Sequence, residues 1–392
     1  MKNQIRNGFL DRVCVRLKEQ RPLVPPMLNY ALRVERVAGA PFATLWFRTR
    51  GCWHDHQGGC TMCTYGVSTP VSADEMIEYV RTGLSSLASN ENMMLLVSPS
   101  GSMLDEWEVP AQAREGILRL VRETNCRTYL CETRAETITD AKIKQYAEIL
   151  DNKVACVEVG LESANPWILR YCINKALPLE RYLSSIEILR KYRVPSIANV
   201  IVGGPFLSPR EAIEDAVQTI QWAFSHGTDY CTVFPVHVKR WTLLAWLWER
   251  GLYSPLSLWS LVEVLARLGP TFVPRVTISW YKIYSEQVTW GELDPVDGLG
   301  YLSSPATCTL CQPKVMSLLD AYRDTNDFGV VQELTRMECR CKDTWRSALG
   351  AAEHQPLKER VAHAYEVIGR GVLGSSWWSE NGGALLADLA NS

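Results

Sequence analysis

The run Phe42-Ala43-Thr44-Leu45-Trp46-Phe47, followed by Arg50-Gly51-Cys52-Trp53-His54-Asp55-His56-Gln57-Gly58-Gly59-Cys60-Thr61-Met62-Cys63-Thr64-Tyr65, decides how the rest of the chain is read. The first part is a short apolar and aromatic run of strand type. The second is a loop whose three cysteines are spaced by seven and then two residues. Three thiolates can ligate three irons of a cubane cluster and leave the fourth iron open. Gly51, Gly58 and Gly59 suit a loop that wraps closely around such a body. The spacing alone also admits a zinc ion with His54 and His56 as further nitrogen ligands. In the iron reading those histidines are solvated or stand outside the ligand set.

Outward from this stretch, residues 42–236 alternate short apolar runs with longer amphipathic ones. Strands are predicted at Phe42–Phe47, Met93–Ser98, Arg127–Glu132, Val154–Gly160, Ser196–Gly203 and Asp229–Pro235. Helices are predicted at Ala73–Leu87, Ala111–Thr124, Asp140–Leu150, Leu179–Lys191 and Pro209–Phe224, with Ser72 and Ser208 as N-caps. Six βα units in series predict an α/β fold, a partial (β/α)6 TIM-like barrel. Chemistry in such folds sits at the carboxyl ends of the strands, where the cysteine loop falls. Beyond residue 240, Trp241–Arg250 and Ser257–Leu268 read as helices and Thr271–Ser279 as a strand, while the last 20 residues give no clear element. The expected organisation is an N-terminal extension over 1–40, the barrel over 41–240, and a helical, cysteine-rich C-terminal cap over 241–392. Trp241, Trp246, Trp248, Trp259, Trp280 and Trp290 read as core at helical spacing rather than as platforms for bases.

The 392 residues are 47% hydrophobic and carry a formal net charge of −2, so a strongly basic phosphate-binding surface is not indicated. No apolar run of about 18 residues predicts a membrane span, and residues 1–20 lack an apolar signal core, which makes the cytoplasm the expected location. Thirteen cysteines, an odd number, argue against a disulfide framework. Cys14, Cys126, Cys131, Cys156, Cys172 and Cys231 are scattered and read as small buried hydrophobes. Cys308, Cys311, Cys339 and Cys341 form a CxxC and a CxC separated by 27 residues. Two close thiolate pairs suit either a tetrahedral zinc site or an auxiliary iron–sulfur cluster, and both stay open here.

Each later strand candidate ends in a polar signature. These are Ser98-Pro99-Ser100-Gly101-Ser102, Glu132-Thr133-Arg134-Ala135-Glu136, Gly160-Leu161-Glu162-Ser163 with Asn174-Lys175 downstream, Val202-Gly203-Gly204-Pro205-Phe206, and Pro235-Val236-His237. Glu132 and Arg134 can grip a ligand or pair with each other. In this order the motifs resemble the radical S-adenosylmethionine (SAM) superfamily, in the branch of the elongator catalytic subunit and the methylthiotransferases. Within that branch they are most similar to the radical SAM enzyme of archaeosine formation, through residues 59–65, Ser100-Gly101-Ser102 and the helix 256–265.

The resemblance implies an enzyme. Cys52, Cys60 and Cys63 would hold a [4Fe–4S] cluster that cleaves SAM reductively. Ser100, Gly101 and Ser102 would meet the SAM amino group, and Glu132, Arg134, Glu162 and Ser163 would stand around its polar end. Val202 would stack on adenine beside Gly203. It further implies a reductase or a flavodoxin or ferredoxin as electron donor, and radical chemistry such as C–N cleavage. The substrate would be a small molecule, natural product or modified nucleoside, or alternatively tRNA. A reading of another class is a non-catalytic zinc protein that binds RNA.

Overall fold

The computed structural model describes residues 7–19, 21, 29–65, 70–87, 93–99, 101–283, 288–289, 300–350 and 355–392. Its frame is one nine-stranded sheet. The strands are β1 (Tyr30–Val37), β2 (Ala40–Phe47), β3 (Met94–Ser98), β4 (Thr128–Thr133), β5 (Val154–Glu162), β6 (Ser196–Val202) and β7 (Tyr230–Pro235), with β8 (Val238–Lys239), β9 (Val276–Ile278), β10 (Val288–Thr289) and β11 (Tyr301–Ser303) beyond them. The order in the sheet is β10-β1-β2-β3-β4-β5-β6-β7-β9, and β8 pairs separately with β11. From β2 through β7 to β9 every pairing is parallel. The six expected strands are all present, in the order a half-barrel requires, with β9 as a seventh parallel member. β1 turns back on β2 as an antiparallel hairpin.

Side chains alternate across each strand, so one set meets the helices and the other the lumen. Ala43, Leu45 and Phe47 of β2, Leu95 and Val97 of β3, and Ala198, Val200 and Val202 of β6 belong to the helix-side core. Phe42, Leu96, Leu130 and Cys156 face inward and, with Val37, make a small apolar floor. The helices Ala73–Ser85 and Pro209–Ser225 both start in capping boxes, Ser72 with Glu75 and Ser208 with Glu211. Each such cap satisfies two end N–H groups and stabilises its helix by about 1 kcal/mol.

Two readings need correction. Thr271 and Phe272 belong to the helix Leu258–Phe272, which carries on across a kink at Gly269-Pro270, so the strand expected from Thr271 is only Val276–Ile278. The helix expected over Trp241–Arg250 is Leu243–Trp248, and Trp241 precedes it in a left-handed conformation (φ 58°). The extension before residue 40 holds a helix, Gly8–Lys18, and the last residues hold another, Ser375–Ala390. These two ends meet in a second apolar cluster of Phe9, Leu10, Trp246, Tyr365 and Trp378. Each large side chain buried there stabilises the join by about 1.5–3 kcal/mol. Among the described residues, no helix is long and apolar enough to cross a membrane.

Candidate active site

The cysteine loop leaves the carboxyl end of β2 and is fastened on several sides. Cys52 N–H donates to Tyr65 C=O (3.0 Å), closing the loop on itself. Thr61 N–H donates to the Ile173 carbonyl (2.9 Å) and its hydroxyl to that of Cys172 (3.0 Å). Asn174 Nδ2 donates to Gly59 C=O (2.8 Å), and His54 Nε2 meets the carbonyl of Asn174 (2.8 Å). From beneath, Lys18 pairs with Asp55 and donates to Gly58 C=O (2.7 Å). Gly58 and Gly59 both take positive φ (118° and 74°), and a Cβ on either would lie 2.6 Å from a backbone Cα, of Asp11 and Asp55 respectively. Only glycine fits this path.

The three thiols line one pocket, shared with His54, Gly101, Glu132, Arg134, Glu162, Lys175 and Asn199. Cys60 and Cys63 are hydrogen-bonded neighbours. That bond and burial both raise Cys60; at Cys63 the bond lowers the thiol against burial, and burial raises Cys52 against the pull of Arg134. Arg134 donates to Cys52 Sγ (3.4 Å) and is held by Asp105 and Glu136 (2.6 Å to the latter). Arg134 therefore pairs with those two acids rather than with Glu132. Lys175 is 8% exposed, with Nζ 2.7 Å from Glu162 Oε1. The donor set fits a cubane: soft thiolates on a glycine-shaped loop, spread around a pocket with charged groups of both signs beside it.

The expected ligand contacts are placed unevenly. Gly101, Glu132, Arg134 and Glu162 line the pocket. Ser100 lies outside the described residues. Ser102 is fully buried, its hydroxyl 2.6 Å from that of Thr133. Ser163 donates to Asp215 (2.7 Å), away from the thiols. Val202 is on the helix side of β6 by the strand's period of two, buried in the core. Gly203 is not among the lining residues; it takes φ 101°, and its carbonyl accepts from Tyr253 (2.8 Å).

Two positioning groups escape a reading by spacing. Glu108, fully buried, accepts from Ser102 N–H (2.7 Å) and Thr49 Oγ1 (3.0 Å), and burial raises it to about 7. It thereby joins the end of β2 to the loop after β3. Lys18, in the extension, reaches the cysteine loop across some 40 residues. A buried carboxylate or ammonium with such partners is recognisable only once the partners are known.

The C-terminal cysteines are a second, tighter centre. Among the described residues, Cys308, Cys311, Cys339 and Cys341 are the group whose ligand atoms all lie within 4.8 Å of one another. Four of their Sγ–Sγ separations are 3.5 or 3.6 Å. Trp259 Nε1 donates to Cys341 Sγ (3.3 Å), tying the centre to the helix Leu258–Phe272.

No protein-family model matches the chain. Archaeosine synthase subunit beta of Methanosarcina acetivorans is 29% identical over 310 residues, 78% of this chain and 84% of that protein. Its namesake in Thermococcus kodakarensis is 28% identical over 327 residues, 81% of this chain and 95% of that protein. Among solved structures, the archaeal Elp3 of Methanocaldococcus infernus aligns with a TM-score of 0.45 at 14% identity, covering 68% of this chain and 60% of that one. The strand order described above, rather than that alignment, identifies the partial barrel. The resemblance drawn from residues 50–65 and the strand-end motifs is therefore matched by relatives: over most of its length this chain is similar to archaeosine synthase subunit beta, and its parallel strands form a partial barrel.

Proposed function

We propose that this chain is a radical SAM enzyme of the archaeosine-synthase kind, acting on a modified nucleoside within or derived from RNA. The observation that carries the reading is the seating of Cys52, Cys60 and Cys63 around a single pocket at the carboxyl end of the parallel strands. When bound there, a [4Fe–4S] cluster with SAM supplies one-electron cleavage of a C–S bond and a 5′-deoxyadenosyl radical. The protein's own part is to hold and enclose. Lys18, Asn174 and Thr61 fix the loop; Arg134 keeps a positive charge beside Cys52; Glu162 and Lys175 offer paired charges to the polar end of a ligand. The similarity to proteins named as a synthase's beta subunit supports a partner subunit and an RNA-derived substrate.

At the C-terminal centre the reading is a single zinc ion rather than an auxiliary cluster. Four thiolates about 2.3 Å from one tetrahedral ion stand about 3.8 Å apart, close to the 3.5–3.6 Å found. A cubane puts each thiolate on its own iron and spreads the sulfurs wider.

The test is anaerobic reconstitution with iron and sulfide, followed by SAM and a strong reductant. The expected product is 5′-deoxyadenosine from a brown protein, with none from Cys60→Ala. A colourless wild-type protein, or unchanged product from Cys60→Ala, would refute the reading.

A further inference from the structure

Below the cysteine pocket the barrel lumen is layered. Its floor is the apolar group of Val37, Phe42, Leu96, Leu130 and Cys156. The next inward positions on the central strands are polar: Ser98 on β3, Glu132 on β4 and Glu158 on β5, with Asn199 on β6. Glu132 and Glu158 are direct neighbours in the parallel register. Glu158 is 7% exposed, while Glu132 and Asn199 line the pocket above. Two buried oxygens on this lumen have no hydrogen-bond partner, Asn199 Oδ1 and Oγ1 of Thr44, a residue 2% exposed.

Fully ionised, the charges of this layer would not balance. Two adjacent buried carboxylates are costly unless a positive group accompanies them. Burial, with each other's proximity, raises Glu132 to about 8, and burial raises Glu158 to about 7. The nearest cations are Arg33 beside Glu132 and Arg323 beside Glu158, and both also hold Glu35, each at 2.8 Å. Among the described residues of the layer, two guanidiniums would then face three carboxylates, and near neutral pH the pair keeps a proton where a third cation would balance it. On the β1–β2 side the layer is walled by the rings of Trp46 and Trp280, with the Arg33 guanidinium over both (5.3 and 5.2 Å).

We propose that Glu132, Glu158 and Asn199 form a binding site for a singly charged cationic amino group of the substrate, its N–H bonds accepted by the two carboxylates and Asn199 Oδ1. A monocation there takes the place of that proton, which leaves to solvent, and gives the orphaned amide oxygen a donor. The apolar floor stops it from sinking further, so the attached part of the substrate extends upward toward Cys52, Cys60 and Cys63. This site rests on reading the pocket above it as the place of reaction.

The experiment uses the full chain as isolated, with n-butylammonium and methylguanidinium as probes and propionate and n-butanol as controls, followed by saturation-transfer NMR. At least one cation binds the wild type, and in Glu158→Gln its affinity falls by about tenfold or more; the controls do not bind. Glu158→Asp, which keeps the charge, retains most of the binding. If Glu158→Gln fails to give the wild-type circular dichroism spectrum, Asn199→Leu replaces it, and a threefold or greater loss is expected. Equal binding by wild type and variant, binding of propionate to the same degree, or no binding of either cation overturns the proposal. The measurement needs neither SAM nor an electron. Its failure is therefore separable from a failure of the Cys60→Ala test above.

Discussion

Asn174 Nδ2 donates to the carbonyl oxygen of Gly59 at 2.8 Å, so a residue beyond β5 holds the loop that carries the three N-terminal thiols. Asn174 is itself left-handed (φ 59°), a conformation that asparagine tolerates better than most side chains. Asn174→Ala loses both the tether and the backbone preference, and is expected to cost about 1–3 kcal/mol. Asn174→Gly restores the backbone alone. Iron content after reconstitution should be low in both variants, with the urea midpoint partly recovered in the glycine one. Full iron retention in Asn174→Gly would show that the tether is dispensable.

Gly58→Ala is expected to damage the loop far more than its size suggests. The added Cβ meets the backbone of Asp11 at 2.6 Å, and neither the helix Gly8–Lys18 nor the loop can move away cheaply. Gly39 gives the control: it also has positive φ (80°), but nothing lies within 4 Å of its Cβ. Gly39→Ala should cost about 1 kcal/mol and Gly58→Ala about 3 kcal/mol or more. Comparable shifts in the urea midpoints of the two variants would contradict the close-contact explanation.

Zinc analysis should find one ion per chain, lost in Cys311→Ser. Because the four thiolates join the segment around Cys308 to the start of the helix at Arg340, the ion stabilises the fold as well as the site. At free zinc a thousandfold above its Kd the linkage is worth about 4 kcal/mol. Chelation should therefore lower Tm and change the fluorescence of Trp259, whose Nε1 donates to Cys341. Iron with acid-labile sulfide at this centre would instead assign it to an auxiliary cluster.

Asp215 gives the fold a pH dependence of definite sign. Burial raises its carboxyl from 3.8 to about 6, against the hydrogen bond from Ser163. The native state keeps this proton where the unfolded chain has lost it, so unfolding releases it between those two values. Its stabilising contribution is complete below about pH 4 and is lost as the pH rises through 6, amounting to at most about 3 kcal/mol. Asp215→Asn removes this contribution. Urea unfolding at pH 4 and pH 7 should show a smaller loss of stability in the variant, and parallel profiles would count against it.

The barrel was legible because its strands are buried runs of the kind a parallel sheet demands, and because Ser72 and Ser208 sit ahead of their helices in capping boxes. The thiol loop was legible because its ligands are local. β1 was not, since its inward residues are Arg33 and Glu35, buried charges that break the apolar alternation and depend on Arg323, 288 residues beyond Glu35. Thr271 and Phe272 read as strand because their residue types favour it, but packing continues the helix past Gly269. Val202 shows a different limit. A residue at a strand end can be named from its motif, whereas the face it presents follows from counting along the strand.

The bridge between Arg323 and Glu35 also governs when the barrel can be finished during synthesis. β2 to β7 pair with near neighbours in the chain, and these six strands can assemble as they leave the ribosome. Glu35, however, is held by Arg33 alone and lacks its second guanidinium partner until residue 323 has emerged. Such a long closure is slow in the manner of high-contact-order folds. Nascent chains stalled short of that arginine should expose their first hairpin and engage chaperones, and those extended past it should not.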